Sequence, residues 1–461
     1  MPINSFENYP MSWKPVLGPD KHPLYLYLAA QLEKDIKEGV LLPGTKLPPQ
    51  RELADFLDIN VSTITRAFKL CTQKGLLNGT IGRGTFVAYN ALECFKMLPQ
   101  SDKNLIEMGS MAPACIAYKE LYDVMQALLM EPNFGQLLHY GLDQGAIWQK
   151  EAAVKFIAKM GYITTEDKVL PAAGGQNAIA AILAGVFRAG DSIGVDPLTY
   201  PGIKSVASML GIKLIPLAQK NGEISEAGLI KACKNDHIKG VYIISEFQNP
   251  TVHMMSDKCK QMLAKIAIER NLLIIEDGIF CLFNDRTRPA TASYAPENTV
   301  FIASFSKAIA PGLRLAYIVP PRDYYKAMLD ALYNINLTPS PLLLELAGRV
   351  LVSGKAELLI EEQRNIAIER NIILNKILLG YEVWGTNNSL FRWLVLPKGW
   401  TGTSFEAEAY VRGVQVYAAE RFAVGNTKPA AAVRIAVATA SAKDFAMGLA
   451  ILAELLKGKR V

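Results

Sequence analysis

Short, continuous apolar runs separated by helical stretches are the feature that most constrains the fold of this chain. The runs SIGV, KLIPL, GVYIIS, NLLIIED, VFIAS and RLAYIV begin at residues 192, 213, 240, 271, 300 and 314. Continuous rather than alternating apolar residues are typical of strands buried on both faces. Stretches such as QNAIAAILAGVFRAG lie between several runs and favour helices. We therefore predict an α/β body with a parallel-type sheet, which binds ligands at the carboxyl ends of its strands.

Polar residues follow these runs where the strands are predicted to end. Each has an ordinary explanation on its own, as a helix cap, a turn or a core residue. Together they offer a glycine-rich phosphate seat before a helix, a ring that can stack, an amide, a carboxylate and an amine. They are Gly174, Gly175, Gln176, Tyr200, Asn249, Asp277, Ser304, Ser306, Lys307 and Arg314.

The chemistry of this set matches one cofactor. A lysine in a desolvated pocket has a lowered pKa and can form a Schiff base with an aldehyde. A nearby acid such as Asp277 can keep a pyridine nitrogen protonated, so that the ring accepts electrons. These are the requirements of pyridoxal 5'-phosphate, and the alternative is a degenerate scaffold that has lost the cofactor.

The first ninety residues show a different pattern. Residues 23–38 place apolar side chains four apart, which predicts an amphipathic helix. RELADFLDIN and VSTITRAFKLCTQKG predict two short helices joined by a tight turn, with Ser62 or Thr63 capping the second. LLNGTIGRGTFVA then predicts a β-hairpin with Arg83 at its tip. We interpret this head as a winged helix-turn-helix.

Charge along the head favours a nucleic-acid partner. The whole chain carries a net charge of only +6, but residues 59–92 contain no acidic residue and include Arg66, Lys69, Lys74 and Arg83. A basic stretch without acids suits a surface that faces phosphates. The alternatives are a solvated helix face or a three-helix module that binds protein.

The domain organisation follows from these patterns. We predict a winged helix-turn-helix at residues 15–88, a linker at 89–104 and a body at 105–461. Within the body we expect a large subdomain at about 135–330 and a smaller α+β subdomain at about 331–461. Part of residues 105–134 is expected to belong to the smaller subdomain.

Composition excludes several classes of protein. Half of the 461 residues are apolar, yet no apolar run reaches the ~18 residues that cross a membrane. The first residues lack the features of an export signal, and the six cysteines form no CxxC pair. Four separated histidines provide no metal-ligand cluster. We expect a cytoplasmic bacterial protein that holds no metal.

The head resembles a known family. The pieces PG-x-x-LP, REL-A, TRAF and GRGTFV occur in order over about 70 residues, and they resemble the winged helix-turn-helix of GntR-type bacterial regulators. The resemblance implies contacts with double-stranded DNA from a second helix in the major groove and from the wing. The residues that it implies are Arg51, Ser62, Thr63, Thr65, Arg66 and Arg83.

The body resembles a fold-type I aminotransferase from about residue 105 to 455, most specifically over SFSKAIAPGLRLAY. The resemblance implies that Lys307 bonds the cofactor, Asp277 pairs with the pyridine nitrogen, and Asn249 bonds the ring's phenolic oxygen. It implies that Tyr200 stacks on the ring and that Arg434 binds a substrate α-carboxylate. Tyr140 is expected to reach the phosphate of a partner subunit. The residues implied to hold the phosphate are Gly175, Gln176, Ser304, Ser306 and Arg314.

Two positions depart from that family. Phe280 stands where the family usually has a tyrosine, and Val252 stands where a glycine often follows Asn-Pro-Thr. Loss of the phenol removes a hydrogen bond to the cofactor, and we expect slow transamination as a result.

A GntR-type head on an aminotransferase-like body is the layout of the MocR group of regulators. The resemblance implies a transcriptional regulator whose body senses pyridoxal 5'-phosphate, or the cofactor with an amino acid or amine. It also implies a head-to-tail homodimer that carries two heads. The alternatives are an active aminotransferase that keeps a DNA-binding head, and a sugar- or peptide-binding body. Lys307 argues against the last, because such bodies need no lysine there.

Overall fold

The computed structural model describes residues 11–16, 23–37, 40–41, 45–74, 76–80, 84–88, 105–141 and 145–458. The predicted linker at 89–104 and the wing tip at Arg83 lie outside these residues. None of the helices in the described part of the chain is both long and apolar enough to cross a membrane.

The head is a three-helix unit with a two-stranded hairpin. Its apolar helix faces share a core that includes Leu28, Leu53 and Phe68. Trp13 also packs into this core, and its indole Nε1 donates to Asp35 at 2.7 Å, so the head includes residues before 15. The elements are α1 (Leu24–Lys37), α2 (Gln50–Leu57), α3 (Val61–Gln73), β1 (Leu77–Thr80) and β2 (Gly84–Val87).

A seven-stranded sheet forms the centre of the body. Every residue of its strands Ser192–Val195, Leu273–Asp277 and Thr299–Ser304 is buried, which explains their continuous apolar sequences. The strands are β4 (Leu170–Ala172), β5 (Ser192–Val195), β6 (Lys213–Pro216), β9 (Ile238–Ile243), β10 (Leu273–Asp277), β11 (Thr299–Ser304) and β12 (Ala316–Val319), in the order β4-β12-β11-β10-β9-β5-β6.

The sheet is mixed rather than wholly parallel. Strands β6, β5, β9, β10 and β11 run parallel to one another, but β12 is antiparallel to both β11 and β4. Only eleven residues separate the end of β11 from the start of β12, and a parallel crossover needs a dozen or more, usually with a helix. The prediction of a parallel-type sheet is therefore wrong at this one strand.

Helices cover both faces of the large sheet. One core cluster fills the side of the helices Gly175–Val186 and Arg322–Asn336, and a second lies between the sheet and the helices Glu226–Asn235 and Asp257–Arg270. The helices and small strands of this region are α4 (Lys119–Leu129), α5 (Ile147–Lys159), α6 (Gly175–Val186), α7 (Pro201–Met209), β7 (Gln219–Lys220), β8 (Glu223–Ile224), α8 (Glu226–Asn235), α9 (Asp257–Arg270), α10 (Arg322–Asn336) and α11 (Pro341–Val352).

A smaller four-stranded antiparallel sheet lies near the C-terminus with its own core, and its strands are ordered Val383–Trp384, Phe391–Val395, Ala432–Ala436 and Tyr417–Ala418. The short strand β3 (Ile106–Glu107) pairs with β15 in this region, so the chain just after residue 104 belongs with the C-terminal part. The elements are α12 (Lys355–Ile377), β13 (Val383–Trp384), β14 (Phe391–Val395), α13 (Gly402–Val411), β15 (Val414–Gln415), β16 (Tyr417–Ala418), β17 (Ala432–Ala436) and α14 (Ala442–Lys457).

Candidate functional site

The carboxyl ends of the parallel strands bring several predicted residues to one edge of the large sheet. Asp277 is the last residue of β10, Ser304 is the last of β11, and Asn249 follows β9. All three side chains are buried. Parallel strands end at the same edge, so residues that are far apart in sequence line one site.

A glycine turn, two serines and an arginine form the part of this site that suits a phosphate. Gly174 has φ 91°, and a Cβ there would lie 2.4 Å from Arg314 Nη2, so the arginine lies directly over the glycine. Helix α6 begins at Gly175 with no acidic residue in its first turn. Ser304 Oγ lies beside Gly175 and accepts the N–H of Ser306 at 3.2 Å. Helix N–H groups, hydroxyls and a guanidinium together favour an anion.

Lys307 is half-buried near the end of β11. Its Nζ donates to the carbonyl oxygen of Met111. Burial lowers the pKa of Lys307 to about 8, helped by the positive charges of Arg434 and Arg314 and opposed by Asp277. A lysine with this pKa has a much larger neutral, nucleophilic fraction near neutral pH than an exposed one.

Asp277 is a buried carboxylate with two donors. Burial raises its pKa to about 6, while hydrogen bonds from Tyr242 and from the Ile279 N–H oppose the increase. Tyr242 Oη donates to Asp277 Oδ2 at 2.9 Å, and the Ile279 N–H lies 3.3 Å from Oδ1. The sequence analysis missed Tyr242. The sequence did contain a signal for it: Tyr242 lies in the buried strand β9, which pairs with β10, and β10 ends at Asp277.

Arg434 and Asn249 form a buried pair with spare donors. Arg434 lies in the middle of β17, is 0% exposed, and donates from Nη1 to Asn249 Oδ1 at 2.7 Å and from Nη2 to the Gly109 carbonyl at 2.6 Å. Asn249 Nδ2 and Arg434 Nε are buried without a hydrogen-bond partner among the described residues. Buried donors of this kind are costly unless a ligand satisfies them.

Tyr200 and Gln176 lie together on the same side of the site. Tyr200 is the N-cap residue of α7, and its Oη donates to Gln176 Oε1 at 3.0 Å. Gln176 Nε2 in turn donates to the Gly202 carbonyl at 2.9 Å. The Gln176 side chain is therefore held by protein groups at both ends. Tyr140, in contrast to these two residues, is 85% exposed.

The two departures from the family occupy well-defined places. Phe280 is buried, with its ring centroid 5.3 Å from that of Phe391, so an apolar contact replaces a phenol. Val252 has φ 55°, in the region that favours glycine, while its side chain is buried. A β-branched residue there holds a strained backbone conformation.

In the head, the predicted DNA contacts other than Arg83 lie on α2 and α3. Arg51, Ser62, Thr65 and Arg66 are exposed, and Thr63 is half-buried. Helix α3 is capped by Asn60, whose Oδ1 accepts the Ser62 N–H at 2.8 Å, so the prediction of Ser62 or Thr63 as the cap is wrong. Asparagine caps as well as serine and lies one residue before the helix. The Thr65 hydroxyl donates to Gln50 Oε1 at 2.7 Å, which ties α3 to α2.

No three His, Cys, Asp or Glu side chains within the described ranges are grouped so as to hold a metal ion. The helix-turn-helix head and the strand-end site of the mixed sheet define a class of protein: a DNA-binding head on a body of the pyridoxal-phosphate transferase fold.

Comparison with known proteins identifies the family. The model for bacterial regulatory proteins of the gntR family matches residues 24–87, and that for aminotransferase class I and II matches residues 113–452. The HTH-type transcriptional regulator YdeF of Bacillus subtilis is 50% identical over 458 residues, 99% of each chain. The chain belongs to the aminotransferase class I and II family and, with its GntR head, to the MocR type of transcriptional regulator.

Solved structures share the fold of the body. An archaeal alanine:glyoxylate aminotransferase is 22% identical, with 77% of this chain and 91% of that chain covered and a TM-score of 0.70. LysN, an α-aminoadipate aminotransferase from Thermus thermophilus complexed with N-(5'-phosphopyridoxyl)-L-leucine, is 21% identical, with 77% and 93% covered and a TM-score of 0.70.

The residues present fit the cofactor of this family, pyridoxal 5'-phosphate. The glycine turn beneath Arg314 suits its phosphate, and the unpartnered Asn249 Nδ2 suits its phenolic oxygen. The buried Asp277 carboxylate suits a pyridinium nitrogen, and the Lys307 amine suits an aldehyde.

Proposed function

We propose that this regulator senses pyridoxal 5'-phosphate, or the cofactor together with an amino acid or amine, and that the ligand sets the affinity of the head for DNA. The observation that carries the proposal is that Arg434 of the smaller sheet bonds Asn249 at the strand-end site that also holds Lys307 and Asp277, with two buried donors left unpartnered among the described residues. A body that served only as a scaffold would have no reason to keep such donors buried.

Each residue has a chemical task in this proposal. The cofactor, when bound, supplies an aldehyde for amines and a ring that accepts electrons. The phosphate would be held by the α6 N-terminus, Ser304, Ser306 and Arg314. Tyr200 would contact the ring and Asp277 would balance the charge of the ring nitrogen, while Tyr242 orients the carboxylate. Lys307 would supply the amine, whose neutral fraction is increased by its lowered pKa.

Arg434 is the residue that we assign to an effector carboxylate. Its guanidinium lies 4.8, 5.5 and 5.7 Å from the ring centroids of Phe422, Tyr417 and Phe391, so aromatic faces hold the cation while its edge stays polar. Burial lowers the pKa of Arg434 only to about 10, so it stays charged at neutral pH. A guanidinium can bind a carboxylate through two parallel hydrogen bonds.

Coupling between body and head requires two arrangements with different ligand affinities. We propose a head-to-tail homodimer with the division predicted above, except that the head begins before residue 15, since Trp13 packs into its core: head up to 88, linker at 89–104, body at 105–461. Two heads in one dimer would bind repeated or inverted half-sites. In the same arrangement Tyr140 would reach the partner's site, consistent with its exposure.

An active aminotransferase that keeps a DNA-binding head is the second candidate. Retention of both Lys307 and Asp277 favours it, because these two residues perform the chemistry in that fold. The buried Phe280 disfavours it, because the hydrogen bond of a phenol to the cofactor is lost.

The test is a titration of the full chain with pyridoxal 5'-phosphate, followed by a scan of amino acids and amines. We expect a visible absorbance band that Lys307→Ala lacks, a spectral change with the effector, and a footprint upstream of the protein's own coding region that changes with it. Protein that shows no band in excess cofactor would contradict the proposal. Rapid multiple turnover with a keto acid would make the second candidate primary.

A further inference from the structure

Residues 105–114, here called the junction segment, are the first described residues that follow the head in the chain. Backbone carbonyls of this segment accept hydrogen bonds from both cations that we assign to ligands. Lys307 Nζ donates to the Met111 carbonyl, and Arg434 Nη2 donates to the Gly109 carbonyl at 2.6 Å. The two side chains that would bind cofactor and effector therefore also hold the chain that leads back to the head.

The turn around Gly109 is held in place by its neighbours. Glu107 Oε1 accepts the N–H groups of Gly109 at 2.7 Å and Ser110 at 2.8 Å. Ser110 Oγ lies 2.9 Å from Tyr417 Oη, and a Cβ on Gly109 would lie 2.6 Å from the Tyr417 ring. A rigid turn presents the Gly109 carbonyl to Arg434 in one orientation. Glu107 is thus a positioning residue, since it acts through Gly109.

Most of the other side-chain hydrogen bonds to the junction segment come from the C-terminal part of the body. Thr439 Oγ1 donates to the Ser110 carbonyl at 2.6 Å and accepts the Ala112 N–H at 3.0 Å. The Gln363 side chain bonds both the N–H and the carbonyl of Ala114 at 2.9 Å. Lys307, by contrast, follows a strand of the large sheet. Its bond to Met111 therefore links the junction segment to that sheet.

We propose that the junction segment transmits the ligand state of the body to the head, because ligands and its carbonyls compete for the same two cations. This rests on the proposed function. When the Lys307 amine condenses with the cofactor's aldehyde, a C=N bond forms and one water leaves. The nitrogen then keeps at most one hydrogen and its position is set by the cofactor, so Met111 loses its donor. A carboxylate on Arg434 competes with the Gly109 carbonyl in the same way.

Two probes separate occupation of the site from use of the amine. Pyridoxal 5'-phosphate and pyridoxine 5'-phosphate share ring and phosphate, but only the first has an aldehyde that can react with Lys307. Hydrogen–deuterium exchange of the full chain would be followed in peptides that cover residues 105–114. We expect exchange there to be about two- to tenfold faster with pyridoxal than with pyridoxine phosphate, the effect of losing one hydrogen bond.

Variants of Glu107 test whether the segment controls DNA binding. The readout is the ratio of DNA affinities with the two probes, measured on a fluorescent duplex from upstream of the protein's own coding region. We expect Glu107→Ala to bring this ratio close to one while the absorbance band persists, and Glu107→Gln, which keeps an acceptor oxygen, to retain most of it. Ser441→Ala, which removes a hydroxyl from the nearby α14 cap, is the control and should behave as the wild type.

The outcomes distinguish the two proposals. No absorbance band with pyridoxal 5'-phosphate overturns the proposed function and the junction segment's role together. A band with equal exchange for both probes, or an unchanged affinity ratio in Glu107→Ala, overturns only the role of the junction segment.

Discussion

Lys307 and Asp277 owe their chemistry to burial at the same strand ends, and burial acts on them in opposite directions. It lowers the pKa of the lysine to about 8 and raises that of the carboxyl group to about 6, because in both it disfavours the charged form. Between these two values the aspartate is mostly ionised and the lysine still mostly protonated. The neutral amine therefore increases as the pH rises above neutrality.

The pH dependence of cofactor attachment follows from this. We expect the rate at which the visible band forms to increase with pH and to level off above about 8, because only the neutral amine attacks an aldehyde. Stopped-flow absorbance over pH 6–10 would measure it. A rate that keeps rising toward 10.5, the ordinary pKa of a lysine, would show that Lys307 is not desolvated in the way that the structure indicates.

Phe280→Tyr tests whether the missing tyrosine hydroxyl at this position slows transamination. The added hydroxyl restores the phenol that the family usually has, so we expect half-transamination of amino acids to become faster by roughly 10-fold, the size of one catalytic hydrogen bond worth about 1.4 kcal/mol. Single-turnover absorbance would measure the rate. Phe283→Tyr, at another buried phenylalanine nearby, is the matched control. An unchanged rate would mean that Phe280 does not limit the chemistry.

At the scale of elements, α3 has a buried apolar face and an exposed face that suits contact with DNA. Asn60 caps its start, Ile64 and Phe68 bury its inner face, and Arg66 remains exposed on the other face. The helix contains no acidic residue, so its exposed face repels no phosphate. Second helices of this motif place such residues in the major groove.

Arg66→Ala is expected to weaken binding to the operator by about 1–3 kcal/mol, because a guanidinium contact with DNA is lost. Fluorescence anisotropy at fixed salt concentration would measure the affinity, and the cofactor spectrum should not change. Arg270→Ala, which removes the same charge from an exposed position at the end of α9, serves as the control. Equal effects of the two variants would indicate a general charge effect and a misplaced recognition helix.

At the scale of the whole molecule, large apolar side chains are exposed along one stretch of the body. Met130 is 84% exposed, Tyr140 85% and Ile147 71%. Apolar surface left exposed in this way is available for contact with another chain. It supports the proposed homodimer, in which these residues would be covered.

Ile147→Asp should shift the protein toward a monomer, because a charge in an apolar interface loses its water without gaining a partner. Sedimentation equilibrium would report the mass, and cofactor affinity should fall with it if the partner completes the site. Ile163→Asp, at a similarly exposed isoleucine beyond the far end of α5, provides the comparison and should leave the mass unchanged. A wild-type monomer would contradict the homodimer.

Much of this protein could be predicted from local sequence. The six apolar runs are strands in the structure, and RELADFLDIN and VSTITRAFKLCTQKG form α2 and α3. Asn249 follows β9, and Asp277 and Ser304 are the last residues of β10 and β11. Periodicity and turn residues are local signals, so they reveal which elements form and where the strand-end side chains fall.

The tertiary structure alone decided which groups meet. Lys307 bonds the carbonyl of Met111, Tyr242 orients Asp277, and Arg434 bridges Asn249 and Gly109. These partners lie up to 325 residues apart in the chain, and two of them are backbone carbonyls, which every residue carries and no sequence pattern marks. The antiparallel direction of β12 likewise depended on packing and on the length of the connection from β11. The sequence by itself determined the elements and the chemical groups, and the path of the chain determined their hydrogen bonds, because those bonds depend on distances that local patterns do not encode.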